Sequence, residues 1–223
     1  MSSSTDLPVL VIFCKRPLPG QGKQRIAATL GKDVAYEIAS ALLQCALEDA
    51  RAWPGNVVLS PSGEADREWA AGLLERDCLV VPQCDGNLGQ KLNFVDDKVR
   101  EMGHRRLLFI GTDAPEHTAE HYQVLTELLM TDQVALRPAE DGGVTAMGSV
   151  ECWPDLSGLP WSTEALGDSL ADLCRSSGFQ VAFSQPGYDV DNQSDLIRLR
   201  TTLQHDLRPA RQELLHKINS ITV

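Results

Sequence analysis

Four of the chain's 20 basic residues fall within one short run, Lys15-Arg16-Pro17-Leu18-Pro19-Gly20-Gln21-Gly22-Lys23-Gln24-Arg25. Two prolines and two glycines in that run favour fixed turns and exposed backbone N–H groups. Lys and Arg supply charge, so the segment can wrap a diphosphate or triphosphate, N–H groups filling the remaining oxygens. A solvated basic loop would have the same composition. It is not a Walker A loop, because Gln24 stands where Mg2+ coordination needs Ser or Thr.

Acidic residues form three further groups. Gly111-Thr112-Asp113-Ala114-Pro115 places one carboxylate after the apolar run Arg106 to Ile110. Held between Gly and Pro, Asp113 suits a Mg2+ or Mn2+ ligand, since these cations use one or two carboxylates plus nucleotide phosphates. The alternative is that Asp113 caps the next helix. In Glu140-Asp141-Gly142-Gly143 the glycines permit positive φ and close ligand approach, although Asp-Gly is equally a strong hairpin signal. Tyr188-Asp189-Val190-Asp191 carries two carboxylates at i and i+2, which point the same way in extended chain. They can complete a metal site with Asp113 or cap a helix starting near Ser194.

His117-Thr118-Ala119-Glu120-His121 matches the H-x-x-E-H pattern of inverted zinc peptidases. That chemistry needs both imidazoles on one face of an established helix, and His117 lies only two residues past Pro115. A chance match is therefore expected. His104, His205 and His216 suggest no site. The six cysteines form no C-x-x-C and no zinc-type pairing with His, which fits free thiols in a reducing compartment. Cys14 reads as a buried strand residue rather than a reactive thiol.

These groups need a frame. The chain has 223 residues, 43% hydrophobic and 23% charged, ordinary for a globular protein. A chain of 24.4 kDa buries roughly 70% of its unfolded surface, enough for a core without metal or disulfide staples. One domain over residues 1–223 is expected, with residues 1–6 a disordered tail. The net charge of −11 disfavours nucleic acid and anionic lipid as partners. Apolar runs such as Leu107 to Ile110 are too short to span a bilayer, and Met1 to Asp6 lacks the basic start of a secretory signal. A cytoplasmic location is the expectation.

Leu7 to Cys14 is apolar without alternation, which predicts a central strand covered on both faces. Further strands are predicted at Asn56 to Ser60, Cys78 to Val81, Arg106 to Ile110, Val134 to Leu136, Val144 to Val150 and Phe179 to Ser184. Helical spacing marks Asp33 to Arg51, Glu64 to Arg76, Lys91 to Met102, the Tyr122 to Leu129 stretch, Thr163 to Ser176 and a segment from Ser194. The rhythm predicts a single-domain three-layer α/β/α sandwich with a mostly parallel mixed sheet. Ligands in such sheets bind beyond the carboxyl ends of strands, where the motifs fall.

Together the motifs resemble the glycosyltransferase-A-like nucleotidyltransferase superfamily, a nucleotide-diphospho-sugar transferase fold. Within it, the chain is similar to the bacterial selenodomain-associated "glycosyltransferase-like" transferases. The resemblance rests on Lys15 to Arg25, Asn87 to Leu92, Gly111 to Pro115, Pro138 to Gly143, Pro160 to Thr163 and Asp189 to Leu196, in that order. It implies that Lys15, Lys23 and Arg25 hold phosphates, with Gly20 and Gly22 shaping the loop. It further implies that Lys23, Arg25 and Asp113 are the catalytic set and that Asp113 and Asp191 bind Mg2+ or Mn2+. Asp141, Gly142, Gly143 and Trp161 would line the acceptor side. Gln24 replaces the family's Thr, Lys91 its Arg, Asn192-Gln193-Ser194 its T-P-E, and Val144 to Met147 a more aromatic run. The implied activity is nucleotidyl or glycosyl transfer from a nucleoside triphosphate or nucleotide-sugar to a small-molecule acceptor. A non-catalytic nucleotide-binding protein on a degenerate transferase fold is the alternative.

Overall fold

The computed structural model describes residues 7–221, so the expected tail at residues 1–6 lies outside the described residues. The first strand, β1 (Val9–Cys14), sits near the middle of a seven-stranded sheet. Leu10 and Ile12 enter the core on one face, Val9 and Val11 the core on the other, which is why the strand shows no polar alternation. The remaining strands are β2 (Val57–Pro61), β3 (Leu79–Val80), β4 (Leu107–Ile110), β5 (Val134–Pro138), β6 (Val144–Ser149) and β7 (Val181–Phe183). Their spatial order is β3-β2-β1-β4-β6-β5-β7. Only β6 runs antiparallel to its neighbours among the described strands. The turn at 139–143 returns the chain directly from β5 into β6, so no crossover helix is needed there.

Helix α2 (Lys32–Ala52), α3 (Arg67–Ala71) and α5 (Ala119–Thr131) cover one face of the sheet, while α4 (Leu88–Glu101) and α6 (Leu166–Ser176) cover the other. This is the expected three-layer α/β/α arrangement. A further apolar cluster lies outside α2, built from α1 (Gln24–Leu30), α7 (Gln193–Thr202) and α8 (Pro209–Ile221). Among the described residues no helix is long and apolar enough to cross a membrane.

Several boundaries differ from the sequence expectation. Gln24 and Arg25 open α1 instead of closing a loop. Helix α4 starts at Leu88, three residues early, because Asn87 and Gln90 form a capping box. The Glu64 to Arg76 stretch forms only a 3-10 turn and the short α3, which ends at Gly72. Helix α6 starts at Leu166 rather than Thr163. The C-terminal helical segment is split in two, with Pro209 at the first position of α8, where its missing N–H costs no hydrogen bond.

The 151–161 loop, which walls one side of the site described below, docks on α4 through side chains one or two turns apart. Asn87 Nδ2 donates to the Ser157 carbonyl at 2.8 Å, and Asn93 Nδ2 to that of Pro154 at 2.8 Å. The approach is close enough that a Cβ on Gly89 would overlap the Leu156 carbonyl. Gly89→Ala should therefore lower unfolding free energy by about 1–3 kcal/mol despite alanine's better helix propensity. Gly158→Ala, where a Cβ meets nothing within 4 Å, should be near neutral; urea denaturation of both variants checks this.

Candidate functional site

The ladder pairs Ile12 with Ile110, so the segments leaving β1 and β4 emerge side by side at the same edge. The β1 segment turns at Gly20 and Gly22, both at φ +75°, and enters α1 at Lys23. Lys23 holds φ 43° and ψ 45°, a left-handed conformation unusual for a residue with a Cβ. This backbone strain is held in place by three contacts of its ammonium. Lys23 Nζ donates to the Val190 carbonyl at 2.5 Å and lies 3.0 Å from Asp113 Oδ1 and 3.2 Å from Asp191 Oδ1. Its side chain is 9% exposed, while those of Asp113 and Asp191 are 45% and 44% exposed. Arg25 Nη1 reaches Asp191 Oδ2 at 3.6 Å from an open position.

The structural alternatives for the carboxylates are filled by other residues. Thr118, not Asp113, caps α5, and Asn192, not Asp189 or Asp191, caps α7. Asp113 and Asp191 are thus left facing the β1 segment, and the Val190 N–H donates to the Asp113 carbonyl at 2.8 Å, tying the two loops together. Asp189 joins them half-buried. Burial, then the negative charges of Asp113 and Asp191, push its carboxyl up to about 7 against the opposing pull of Lys23; Asp141 adds to the rise.

Two cavities meet at Asp113. One, of about 260 Å3, is lined by Lys23, Gln24, Arg25, Asp113 and Asp191. The other, of about 230 Å3, shares Asp113 and adds Asp189, with Phe13, Phe109, Met147 and Trp161 among its apolar walls. Lys15 is exposed and, like Gly20 and Gly22, lines neither. Asp141, Gly142 and Gly143 form the hairpin turn: Asp141 Oδ1 accepts the Gly143 N–H at 3.0 Å, and Gly142 takes φ +87° against the Glu164 carbonyl. None of the three lines either of these cavities, whereas Trp161 lines the second. A third cavity of about 730 Å3, lined in part by Trp53, Tyr122 and Met130, shares no residue with either and lies away from these motifs.

A buried charge network braces the carboxylate loops, and sequence inspection missed it. Arg137, at the end of β5, makes a double contact with Glu116, Nη1 to Oε1 at 2.5 Å and Nη2 to Oε2 at 2.9 Å. A Cβ on Gly187 would overlap both partners, so the 184–191 loop rests on this pair. Arg211 of α8, fully buried, donates to the Pro115 carbonyl at 3.1 Å and to Asp49 Oδ2 at 2.7 Å. An Arg inside a strand and one in a terminal helix carry no spacing signal, which is why neither was anticipated. The H-x-x-E-H residues belong to the same network. Arg137 Nη1 lies 3.3 Å from His117 Nδ1 and Arg137 Nη2 3.4 Å from His121 Nε2, so a guanidinium occupies the place a zinc ion would need. Cys14 is buried as expected, its thiol pushed up to about 12 by burial and then by Asp66.

With this geometry in place, the comparisons with known proteins are decisive for family and fold. The family described as uncharacterized protein conserved in bacteria (DUF2064) matches residues 29–163, more than half of the chain. The chain belongs to this family. The match includes Asp113, Asp141 and Trp161 but not Lys23, Arg25, Asp189 or Asp191. No curated protein matches the chain. A protein of Desulfovibrio desulfuricans G20, described provisionally as a nucleotide-diphospho-sugar transferase, superposes with TM-score 0.86 at 22% identity over 96% of each chain. A Mycobacterium sp. strain JC1 homologue of Mycobacterium tuberculosis Rv0371c superposes with TM-score 0.55 at 19% identity, over 87% of this chain and 97% of the other. The 4-diphosphocytidyl-2C-methyl-D-erythritol synthase of Anaerococcus prevotii DSM 20548 gives 0.53 at 13% identity, over 89% and 99%. The fold of this DUF2064 protein is that of nucleotide-diphospho-sugar transferases.

Two outcomes follow from the buried network. Arg137→Met should lower stability by about 3–5 kcal/mol by leaving Glu116 buried and unpaired, and the double variant E116Q/R137M should recover most of that loss in urea denaturation. His117 is held well below the usual imidazole range by burial, then by Arg137 and His121. It is neutral when folded and gains a proton on unfolding below pH 6.5, so its contribution is present above that pH and lost as pH falls. Measured from pH 7 to 5, His117→Gln should lose less stability than wild type, the difference approaching about 1.4 kcal/mol per pH unit at the acid end.

Proposed function

We propose that this DUF2064 protein is a Mg2+- or Mn2+-dependent transferase that uses a nucleoside triphosphate or nucleotide-sugar and passes its nucleotidyl or glycosyl group to a small acceptor. The observation that carries this proposal is the Lys23 ammonium lodged between Asp113 and Asp191. An ammonium held by two carboxylates from separate loops sits where a divalent cation would be held, and one or two carboxylates with phosphate oxygens suit Mg2+ or Mn2+. Asp113 and Asp191 would hold the ion, with Asp189 beside them. When bound, it would neutralise charge on the donor phosphates.

The chain's own groups would do the rest by position and charge. Lys23, released from its carboxylates, would turn to donor phosphate oxygens, and the open Arg25 guanidinium would join it there. Gly20 and Gly22 give the β1 segment the turns that bring Lys23 back over β4. Lys15, exposed at the start of that segment, would meet the donor only from outside the cavity. The acceptor would enter by the Trp161-lined cavity, with the Asp141-Gly142-Gly143 turn supporting the rim. In nucleotidyl transfer, an acceptor oxygen forms a bond to the α-phosphorus as the bond to pyrophosphate breaks. In glycosyl transfer, the acceptor oxygen bonds the anomeric carbon and the nucleoside diphosphate departs. Neither needs a protein nucleophile, which agrees with a site of carboxylates and cations without Ser, Cys or His.

A thermal-shift panel of nucleoside triphosphates, diphosphates and nucleotide-sugars with Mg2+, Mn2+ or EDTA tests the proposal. A ligand at 100 times its Kd stabilises by about 2.7 kcal/mol, which is a rise of about 5–11 °C for a domain this size. The rise should vanish with EDTA and in Asp113→Asn, and Arg25→Ala should weaken it. Folded protein that responds to no nucleotide, or whose response ignores both EDTA and Asp113→Asn, would overturn it.

A further inference from the structure

A second group of potential metal ligands lies at the other end of α4, far along the helix from Asn87. Asp96, Asp97 and Cys152 each offer one ligand atom, and these atoms lie within 4.8 Å of one another. Proximity of acidic groups alone would mean little. Asp96, however, is 1% exposed and its two oxygens are treated unequally. Its Oδ2 accepts from Arg100 Nε at 2.9 Å and from the Trp153 N–H at 3.3 Å. Its Oδ1 is buried with no hydrogen-bond partner.

Arg100 leaves that oxygen unsatisfied. The other nitrogens of Arg100 donate to backbone carbonyls of Arg105, Ser149, Val150 and Glu151. A buried acceptor without a donor is unfavourable and calls for an explanation. Meanwhile Arg100 and the Trp153 N–H fix the carboxylate's orientation, as outer partners do for metal-ligating carboxylates. The open side of the cluster carries an exposed thiol, Cys152, and an exposed carboxylate, Asp97.

We infer that Asp96, Asp97 and Cys152 form a binding site for a borderline-soft divalent cation of the Zn2+ class. One sulfur and two carboxylate oxygens suit such an ion, with water in the fourth position. Binding exchanges the Cys152 S–H for a metal–sulfur bond and releases one proton to solvent. The bound ion pins the start of the 151–161 loop to α4, at the opposite end from the Asn87 contact with Ser157. It therefore fastens the segment that supplies Trp161 to the apolar cavity. The site is separate from the Asp113 and Asp191 pair and does not depend on their role.

Co2+ titration of the full chain under reducing conditions tests this, because a cobalt–thiolate bond gives a near-ultraviolet charge-transfer absorption that carboxylate sites lack. Wild type should develop that absorption at one equivalent, Zn2+ should displace it, and Zn2+ should raise the melting temperature. Cys152→Ser should abolish both signals, and Asp97→Asn should weaken Co2+ binding about ten-fold or more. Both substituted side chains are exposed, so folding should survive, and circular dichroism checks that it does. Asp113→Asn should leave the absorption intact. No thiolate absorption at saturating Co2+, or absorption that persists in Cys152→Ser, would overturn the assignment.

Discussion

Three carboxylates from two loops repel one another, and the Lys23 ammonium, with Arg25 on the outer side of Asp191, offsets that repulsion. Lys23 meets both Asp113 and Asp191, and its charge also opposes the rise in the Asp189 carboxyl. The left-handed backbone at Lys23 is the local strain that delivers the ammonium to that point. Electrostatics of this kind leave the arrangement poised. Under the proposed function, the same carboxylates that hold Lys23 would offer oxygen ligands to a divalent ion, and the same ammonium would offer a counter-charge to phosphate.

Such a site needs a stiff base, which the buried network supplies. Glu116 belongs to the loop that carries Asp113, Gly187 to the loop that carries Asp189 and Asp191, and Arg137 touches both. Arg211 adds a second strut from α8 through the Pro115 carbonyl. Buried ion pairs contribute little net stability, since desolvation offsets attraction, but one broken partner is strongly destabilising. Their service here is geometric. They restrict two loops to one relative placement, which apolar packing alone would leave looser at a polar sheet edge.

The two cavities that meet at Asp113 divide the chemistry by polarity. One is lined by the cations Lys23 and Arg25; the other has aromatic and aliphatic walls and, among the described residues, no lysine or arginine. Low-dielectric walls beside a charged cluster strengthen its field. The α4 side chains that hold the 151–161 loop therefore bear on function as well as stability, since that loop carries one wall of the apolar cavity.

Much of this was legible in the sequence. The unbroken apolar runs of β1 and β4 announced a sheet covered on both faces, and the Asp-Gly-Gly turn announced the hairpin that reverses β6. The motifs at 15–25, 111–115 and 188–191 pointed to strand ends that the fold does bring together. What local pattern could not provide was the choice among roles for each carboxylate. Asp113 and Asp191 are available to a ligand only because Thr118 and Asn192 cap the helices. Asp141 turned out to be tied into its own turn, and the basic run turned out to end in a helix. Arg137, Arg211, Glu116 and the unequal oxygens of Asp96 lie at separations that no periodicity links. Backbone propensity and hydrophobic spacing act over a few residues, so they determined the elements and their order. Long-range charge pairing and burial act only once the chain has packed, so tertiary structure alone decided which polar groups met and which were left to bind something else.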